Sequence, residues 1–315
     1  MIVLTRAEVE QLLDLDELVE AVAVALADLS RGAASMPPRI AALVPEQEGL
    51  LGVMPAYLPS AGLAAKLVTL FPRNRDRHTH QAAIMVFDPA NGSPLALMDG
   101  TYITATRTAA ASALATRLLA RKDASVLAII GTGVQARSHA RALVRVRDIA
   151  EVRVAGRDPE RTKALAEEIG ARACETFAEA LEGADVVAAT THTLEPVVRR
   201  EWLAPGAHVN SVGLNPNGRE VDEATVSEAA LFVESRASSL APPPAGAAEL
   251  VGADPSRAVE LGELVAGEAP GRDGDDQITL YKSVGVAVED AAAASLVLKA
   301  ARARGVGLEI ELEDL

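Results

Sequence analysis

The chain has 315 residues, 49% of them hydrophobic, and a mean hydropathy of +0.17, so there is material for a sizeable core and two domains, and disorder is excluded. A formal charge of −14, from 44 acidic and 30 basic residues, repels phosphate backbones and argues against nucleic acid as a partner. The one cysteine, Cys174, excludes an intramolecular disulfide framework and a cysteine-based zinc site, which fits a reducing cytoplasm.

Residues 1–13 carry Arg6, Glu8 and Glu10 and do not read as a signal peptide. No apolar run reaches membrane-spanning length, so an integral membrane protein is not expected. Residues 15–31 have the period of an amphipathic helix, which Met36-Pro37-Pro38 breaks. Short runs with strand character follow at 39–44, 50–55, 63–71, 82–88 and 94–98, with a turn signal at Asp88-Pro89-Ala90-Asn91-Gly92. Strands with no helices between them imply a mostly antiparallel sheet.

An alanine-rich helix is predicted over 104–121, and beyond it strands and helices alternate. Strands are expected at 125–130, 152–156, 171–174, 185–191, 207–212 and 230–234, with helices at 134–147, 159–169 and 177–182. Such alternation indicates a doubly wound parallel sheet. Residues 240–246 read as an irregular loop. A strand at 277–282 and an alanine-rich helix from about 285 to 304 are the last clear elements, and that helix is long enough to pack back on the first domain. The fold class is thus α/β, a Rossmann-like parallel sheet plus an α+β domain.

The buried-strand run Val126-Leu127-Ala128-Ile129-Ile130 leads directly into Gly131-Thr132-Gly133-Val134-Gln135-Ala136, which opens a helix. Gly131 permits the tight turn, Gly133 allows backbone N–H groups to approach a pyrophosphate, and Ala136 keeps helix and strand close. The surrounding strand, helix and second strand turn a weak motif into a strong one. A site that prefers NAD places Asp or Glu at the end of the second strand; here stand Gly156 and Arg157, with Arg161 one turn later. Loss of the carboxylate and gain of guanidinium donors favour a 2′-phosphate, hence NADP(H), with NAD(H) as the alternative. Asp158 tempers that argument, and both arginines could also be solvated helix-start residues.

Three further stretches are specific: Thr79 to Asp88 through Met98-Asp99-Gly100 and Ile103 to Ala110, then Ser211-Val212-Gly213, then Lys282-Ser283-Val284-Gly285 into Val288-Glu289-Asp290. Together with 131–138 they resemble, collinearly over nearly the whole chain, the ornithine cyclodeaminase/mu-crystallin family. The resemblance implies a homodimer, with 1–121 and 291–315 forming the substrate-binding and dimerisation domain and 122–290 the NAD(P)-binding domain. It implies that Arg39 and Lys66 bind substrate, with Val284 beside them. Thr79, Arg107, Val134, Gln135, Thr191, Ser211, Val212, Gly213, Arg219 and Ser283 fall where the family meets the dinucleotide, along with Gly131 and Gly133.

The residues supply their own argument for some of these roles. Lys66 and Arg39 stand in apolar strand runs, where an unpaired charge is costly. Arginine can grip an α-carboxylate with two donors, and an ammonium can bind or protonate a substrate heteroatom. The competing reading of Lys66 is an edge-strand lysine in water, and that of Arg107 a structural ion pair rather than a diphosphate ligand. His78 and His80 share a strand face but lack a third ligand with a clear claim, so no metal is expected. His192 follows Thr191 at a strand end, whereas His139 and His208 read as structural.

Two departures from the family pattern disfavour ornithine cyclisation: Gly52 stands where the cyclising members carry a glutamate for the distal amine, and Asn215 where they carry a catalytic aspartate. The expected activity is NADPH-dependent reduction of an imine bearing an α-carboxylate, such as pyrroline- or piperideine-2-carboxylate, with Lys66 as the catalytic residue. The alternatives are an alanine-type amino-acid dehydrogenase and a crystallin-like protein that binds NADPH and a small acid without turnover.

Overall fold

A computed structural model describes residues 1–311, so the last four positions of the expected 291–315 segment lie outside the described residues. The chain clusters into two compact units, Met1–Arg107 with the chain from Val286 onward, and Thr108–Gly285.

The first unit opens with β1 (Ile2–Leu4), α1 (Arg6–Leu12) and α2 (Leu15–Ser30). The pair β1 and α1 was not anticipated, although the signal was present. Thr5 and Glu8 form a reciprocal capping box at the start of α1. Asp14 caps α2 by accepting from the N–H groups of Asp16 and Glu17, both at 2.9 Å. Leu18, Val19, Val22 and Leu26 then form its buried face.

Five strands follow: β2 (Ile40–Val44), β3 (Gly49–Leu58), β4 (Gly62–Leu70), β5 (His80–Phe87) and β6 (Pro94–Asp99). They are antiparallel neighbours, while β1 runs parallel to β6. Helix α3 (Gly100–Leu119) begins four residues earlier than the sequence suggests, because the Asp99 carboxylate accepts from the Tyr102 N–H at 2.8 Å. The unit boundary falls inside this helix.

The second unit holds β7 (Val126–Ile130), α4 (Val134–Leu143), β8 (Glu151–Ala155), α5 (Pro159–Ile169), β9 (Arg172–Ala173), α6 (Phe177–Leu181), β10 (Val186–Ala189), β11 (His208–Ser211), α7 (Glu223–Glu228), β12 (Ala230–Val233), α8 (Arg236–Ser239), β13 (Ala258–Glu260), α9 (Leu261–Val265) and β14 (Thr279–Lys282). All eight strands are parallel, in the order β13-β12-β14-β11-β10-β7-β8-β9. Counted from β7 as strand 1, the order from β9 reads 3-2-1-4-5-8-6-7: its first five strands follow the 3-2-1-4-5 run of dinucleotide-binding sheets, and β14, the last strand of the unit in sequence, takes the sixth place. The α/β reading therefore holds. Helix α8, β13 and α9 were missed because each is too short to show a period. Helix α4 stops at Leu143 rather than 147, and Arg147 turns back to donate to the carbonyls of Arg117, Ala120 and Arg121 at the end of α3.

Helix α10 (Ala287–Arg304) and β15 (Leu308–Glu309) complete the first unit, whose sheet order is β15-β1-β6-β5-β4-β3-β2. Helix α10 packs on α2, β3, β4 and β5. Alanines at 287, 291–294 and 301 make that approach close, so the helix is buried along much of its length.

Candidate functional site

Lys66 belongs to β4, between β3 and β5, so it is not an edge residue. Its register partners Met54 and Ile84 are core residues of the inner sheet face. The side chain is 2% exposed, and its ammonium meets Asp290 in the first turn of α10 at 2.7 Å. Arg107 of α3 is equally buried. It donates through Nε to Asp290 at 3.0 Å and through Nη1 to Glu289 at 2.9 Å. Both carboxylates lie at the helix N-terminus, where the peptide dipoles favour negative charge.

The electrostatics follow from this placement. Burial pulls the Lys66 ammonium down to about 8 against the support of Asp290, and the nearby charges of Arg107 and Arg39 add to the depression. Burial alone would raise the Asp290 carboxyl, but Arg107 and Lys66 outweigh it and hold the group below the usual carboxylate range. His80, the first residue of β5, is pushed down to about 4 by burial and by the charges of Lys66 and Arg107. Among the described residues Asp290 is the one partner of the Lys66 ammonium, although an ammonium has three N–H donors. A buried cation with donors to spare is equipped to receive a polar ligand.

Arg39 stands just before β2, an edge strand with four exposed residues, and is half-buried, so the cost of burying its charge is smaller than the apolar run suggests. Its charge is nevertheless felt at Lys66. Arg107, expected at the diphosphate, is also held by two buried carboxylates, Glu289 and Asp290. Thr79 lies exposed in the loop before β5, its carbonyl accepting from the Phe71 N–H at 2.7 Å. His78 does not share a strand face with His80, because it precedes β5 and faces Arg6 at 3.5 Å.

In the second unit the glycine loop has the shape of a pyrophosphate cradle. Gly131 adopts φ +119°, and a Cβ there would meet the Thr190 hydroxyl at 2.7 Å, so only glycine fits the turn. At Gly133 an added Cβ would meet nothing within 4 Å, which is the open approach a ligand needs. Gly133 offers no side-chain cap to α4, so the first-turn N–H groups are free of that competition. Val134 is exposed at the helix start, and the buried Gln135 Oε1 has no partner among the described residues. These observations fit a dinucleotide.

At the end of β8, Gly156 has no room for a side chain, since a Cβ would meet Thr132 Cγ2 at 2.7 Å and Thr162 Oγ1 at 2.8 Å. Arg157 and Arg161 are exposed beside it, and Asp158 is occupied as the cap of α5.

The ends of β10, β11 and β14 carry a group of acids that the sequence reading missed. Glu220 accepts from the Thr191 N–H at 2.6 Å, the Thr191 hydroxyl at 2.8 Å, the Ser211 hydroxyl at 2.8 Å and the Gly213 N–H at 2.7 Å. Glu234 accepts from the Ser283 hydroxyl and from the N–H groups of Val284 and Gly285, both at 3.1 Å. Lys282 pairs with Glu249 at 2.8 Å and donates to the Ser211 hydroxyl at 3.1 Å and to the Gly213 carbonyl. Thus Thr191, Ser211, Gly213, Ser283 and Val284 are gathered by two buried carboxylates. The hint in the sequence was weak: acidic residues in short loops are usually solvated.

Val212 continues β11 through its N–H to the Ala189 carbonyl at 3.0 Å. Arg219 is partly exposed, 3.8 Å from Glu223. Asn215 donates to the Thr193 carbonyl at 2.9 Å, and His192 lies 3.0 Å from the Leu214 carbonyl. His139 and His208 are fully buried and hydrogen-bonded, as their structural reading requires.

The profile of the ornithine cyclodeaminase/mu-crystallin family matches residues 1–305. Ketimine reductase mu-crystallin of Mus musculus is 41% identical over 289 residues, covering 89% of this chain and 90% of that protein. The structure of Thermococcus litoralis Delta(1)-pyrroline-2-carboxylate reductase in complex with NADH and L-proline superimposes with a TM-score of 0.92 at 37% identity, covering 98% of this chain and 100% of that one. An archaeal alanine dehydrogenase dimer with bound NAD gives a TM-score of 0.90 at 33% identity, with 99% of each chain covered. The chain belongs to the ornithine cyclodeaminase/mu-crystallin family.

Proposed function

We propose that this protein is an NAD(P)H-dependent reductase of imines that carry an α-carboxylate, with NADPH preferred. The observation that carries the reading is the buried Lys66 ammonium, held by Asp290 with donors left over. The similarity to a ketimine reductase and a pyrroline-2-carboxylate reductase supports it.

The chemistry assigns each residue a task. When bound, the reduced dinucleotide would supply a hydride to the imine carbon. Lys66 holds a proton at Nζ and delivers it to the imine nitrogen, so that C=N becomes CH–NH with one hydride and one proton consumed. An ammonium with a pKa of about 8 holds that proton at neutral pH and releases it more readily than an ordinary lysine. Arg39 pairs with the substrate carboxylate. Fixed charges of this kind orient the substrate before reaction, a large part of such rate gains.

Gly131, Gly133, Val134 and Gln135 would cradle the pyrophosphate, and Thr191, Ser211, Val212, Gly213, Arg219 and Ser283 would frame the rest of the dinucleotide. Arg157 and Arg161 would bind a 2′-phosphate, for which the cramped Gly156 leaves no competing carboxylate. We assign substrate binding and dimerisation to the first unit; the exposed Leu51, Tyr57 and Leu67 on one face of its sheet support a homodimer. Among the described residues no helix is long and apolar enough to cross a membrane, and we place the enzyme in the cytoplasm.

The test follows NADPH and NADH oxidation with pyrroline-2-carboxylate, piperideine-2-carboxylate, and pyruvate plus ammonia. Turnover of a cyclic imine is expected, faster with NADPH. Turnover of pyruvate plus ammonia alone would favour the amino-acid dehydrogenase reading, which the similarity to alanine dehydrogenase motivates. Tight NADPH binding without turnover of any of the three would sink the enzyme reading for these substrates and leave a binding protein.

A further inference from the structure

The order of the parallel sheet divides a dinucleotide between two halves. In such sheets the adenosine ribose meets the end of the second strand, here β8, so the nicotinamide half belongs to the far side of β7, at the ends of β10, β11 and β14. That is where Glu220 lies. Its two carboxylate oxygens take four hydrogen bonds, two from Thr191 after β10 and one each from Ser211 at the end of β11 and Gly213 beyond it. Gly213 has no space to move: a Cβ there would meet the Thr191 carbonyl at 2.1 Å and Glu220 Oε1 at 2.6 Å. The hydroxyls of Thr191 and Ser211 donate to Glu220, so what they can offer a ligand is an acceptor, together with a fixed backbone.

Charge adds a second consequence. Ser211 links Glu220 to Lys282, which is ion-paired with Glu249. One buried ammonium against two buried carboxylates leaves the group net negative. A nicotinamide ring gains a positive charge when it gives up a hydride, so a fixed negative charge beneath its subsite acts where charge develops.

We propose that Glu220 is a positioning residue for the nicotinamide end of the dinucleotide, locking the ends of β10 and β11 together and placing a buried negative charge that favours the cationic, oxidised ring over the neutral, reduced one. The inference rests on the dinucleotide reading above and names a residue outside the expected site.

Calorimetric titration of the wild type and of Glu220→Gln with NADP⁺ and NADPH, with thermal unfolding alongside, tests it. Glu220→Gln is expected to weaken both forms and to weaken NADP⁺ about five- to tenfold more than NADPH, the size of effect one charge exerts at about 4 Å under water-like screening. Equal weakening of both forms, or no weakening, would overturn the proposal, because a purely structural glutamate has no redox preference. Ser211→Ala keeps the charge and removes one of the four bonds. It is expected to weaken both forms alike by about threefold, and unchanged affinity would overturn the positioning role even if Glu220→Gln does not fold. A wild type that binds neither form would instead remove the dinucleotide reading itself, and this inference with it.

Discussion

Two of the five lysines in the chain, Lys66 and Lys282, are buried almost completely, and the two units use them differently. Each stands on a strand and meets a single buried acid, Asp290 at 2.7 Å or Glu249 at 2.8 Å. Lys282 also donates to the Ser211 hydroxyl and the Gly213 carbonyl, so two hydrogen bonds stand beside its ion pair. Lys66 has Asp290 among the described residues, and Asp290 is shared with Arg107. The lesson is that burial does not by itself mark a reactive group. A buried ammonium that hydrogen-bonds to neighbouring strand ends ties them together, whereas one held by an ion pair alone is held ready for a ligand.

Substitution of each lysine should break the likeness between them. Lys66→Met is expected to lower kcat/KM for the imine about a thousandfold, the usual scale for a lost acid–base group, with the melting temperature little changed. Lys282→Met should act the other way, costing about 3–5 kcal/mol of stability because the Glu249 carboxylate is left buried without its cation. Steady-state kinetics beside chemical denaturation separates the two outcomes. A fully active Lys66→Met enzyme would end the catalytic assignment.

A milder change sharpens the role of the acid. Asp290→Asn removes the charge that supports the Lys66 ammonium, while burial, Arg107 and Arg39 still oppose it. The pKa of Lys66 must therefore fall, and the alkaline limb of the kcat/KM profile, expected near pH 8 in the wild type, should move to lower pH by about one unit. An unmoved limb would show that Lys66 does not set it. With ¹³C-labelled lysine the same shift can be read directly, since there are only five resonances to assign.

The second unit offers a smaller test. Arg157→Asp places a carboxylate beside the end of β8 and should reverse the cofactor preference toward NADH, by about tenfold in the ratio of kcat/KM values. Unchanged preference would refute the part given to Arg157.

A further prediction concerns acid stability. His80 and His139 are pushed down to about 4 and His208 to about 3, chiefly by burial. Between these values and the ordinary histidine value near 6.5 the unfolded chain binds more protons than the folded one. The stability the neutral rings contribute is present above about pH 6.5 and declines as pH falls through that window. Denaturation midpoints measured at pH 7 and pH 5 should differ in that direction.

Much of this architecture was legible from local pattern. The strand–glycine–helix run at 126–136 is contiguous, and its meaning depends on backbone geometry that neighbouring residues set, so both sheet and cradle followed from it. The long helices α2, α5 and α10 showed their period for the same reason. Shorter pieces escaped: α1 carried its Thr5–Glu8 capping signal but spans only two turns, and β13 and α9 are shorter still.

The candidate site divides along the same line. That Lys66 is an anomaly in an apolar strand, and that the second strand of the parallel sheet ends on Gly156-Arg157 instead of an acid, are facts the sequence determines alone, because each depends on residues adjacent in the chain. Which acid neutralises Lys66, that Arg107 is spoken for by Glu289 and Asp290, and that Glu220 and Glu234 gather the strand ends were decided only by tertiary structure. Ion pairs between residues far apart in the chain leave no periodic trace, and a carboxylate's role depends on how many donors the fold brings to it.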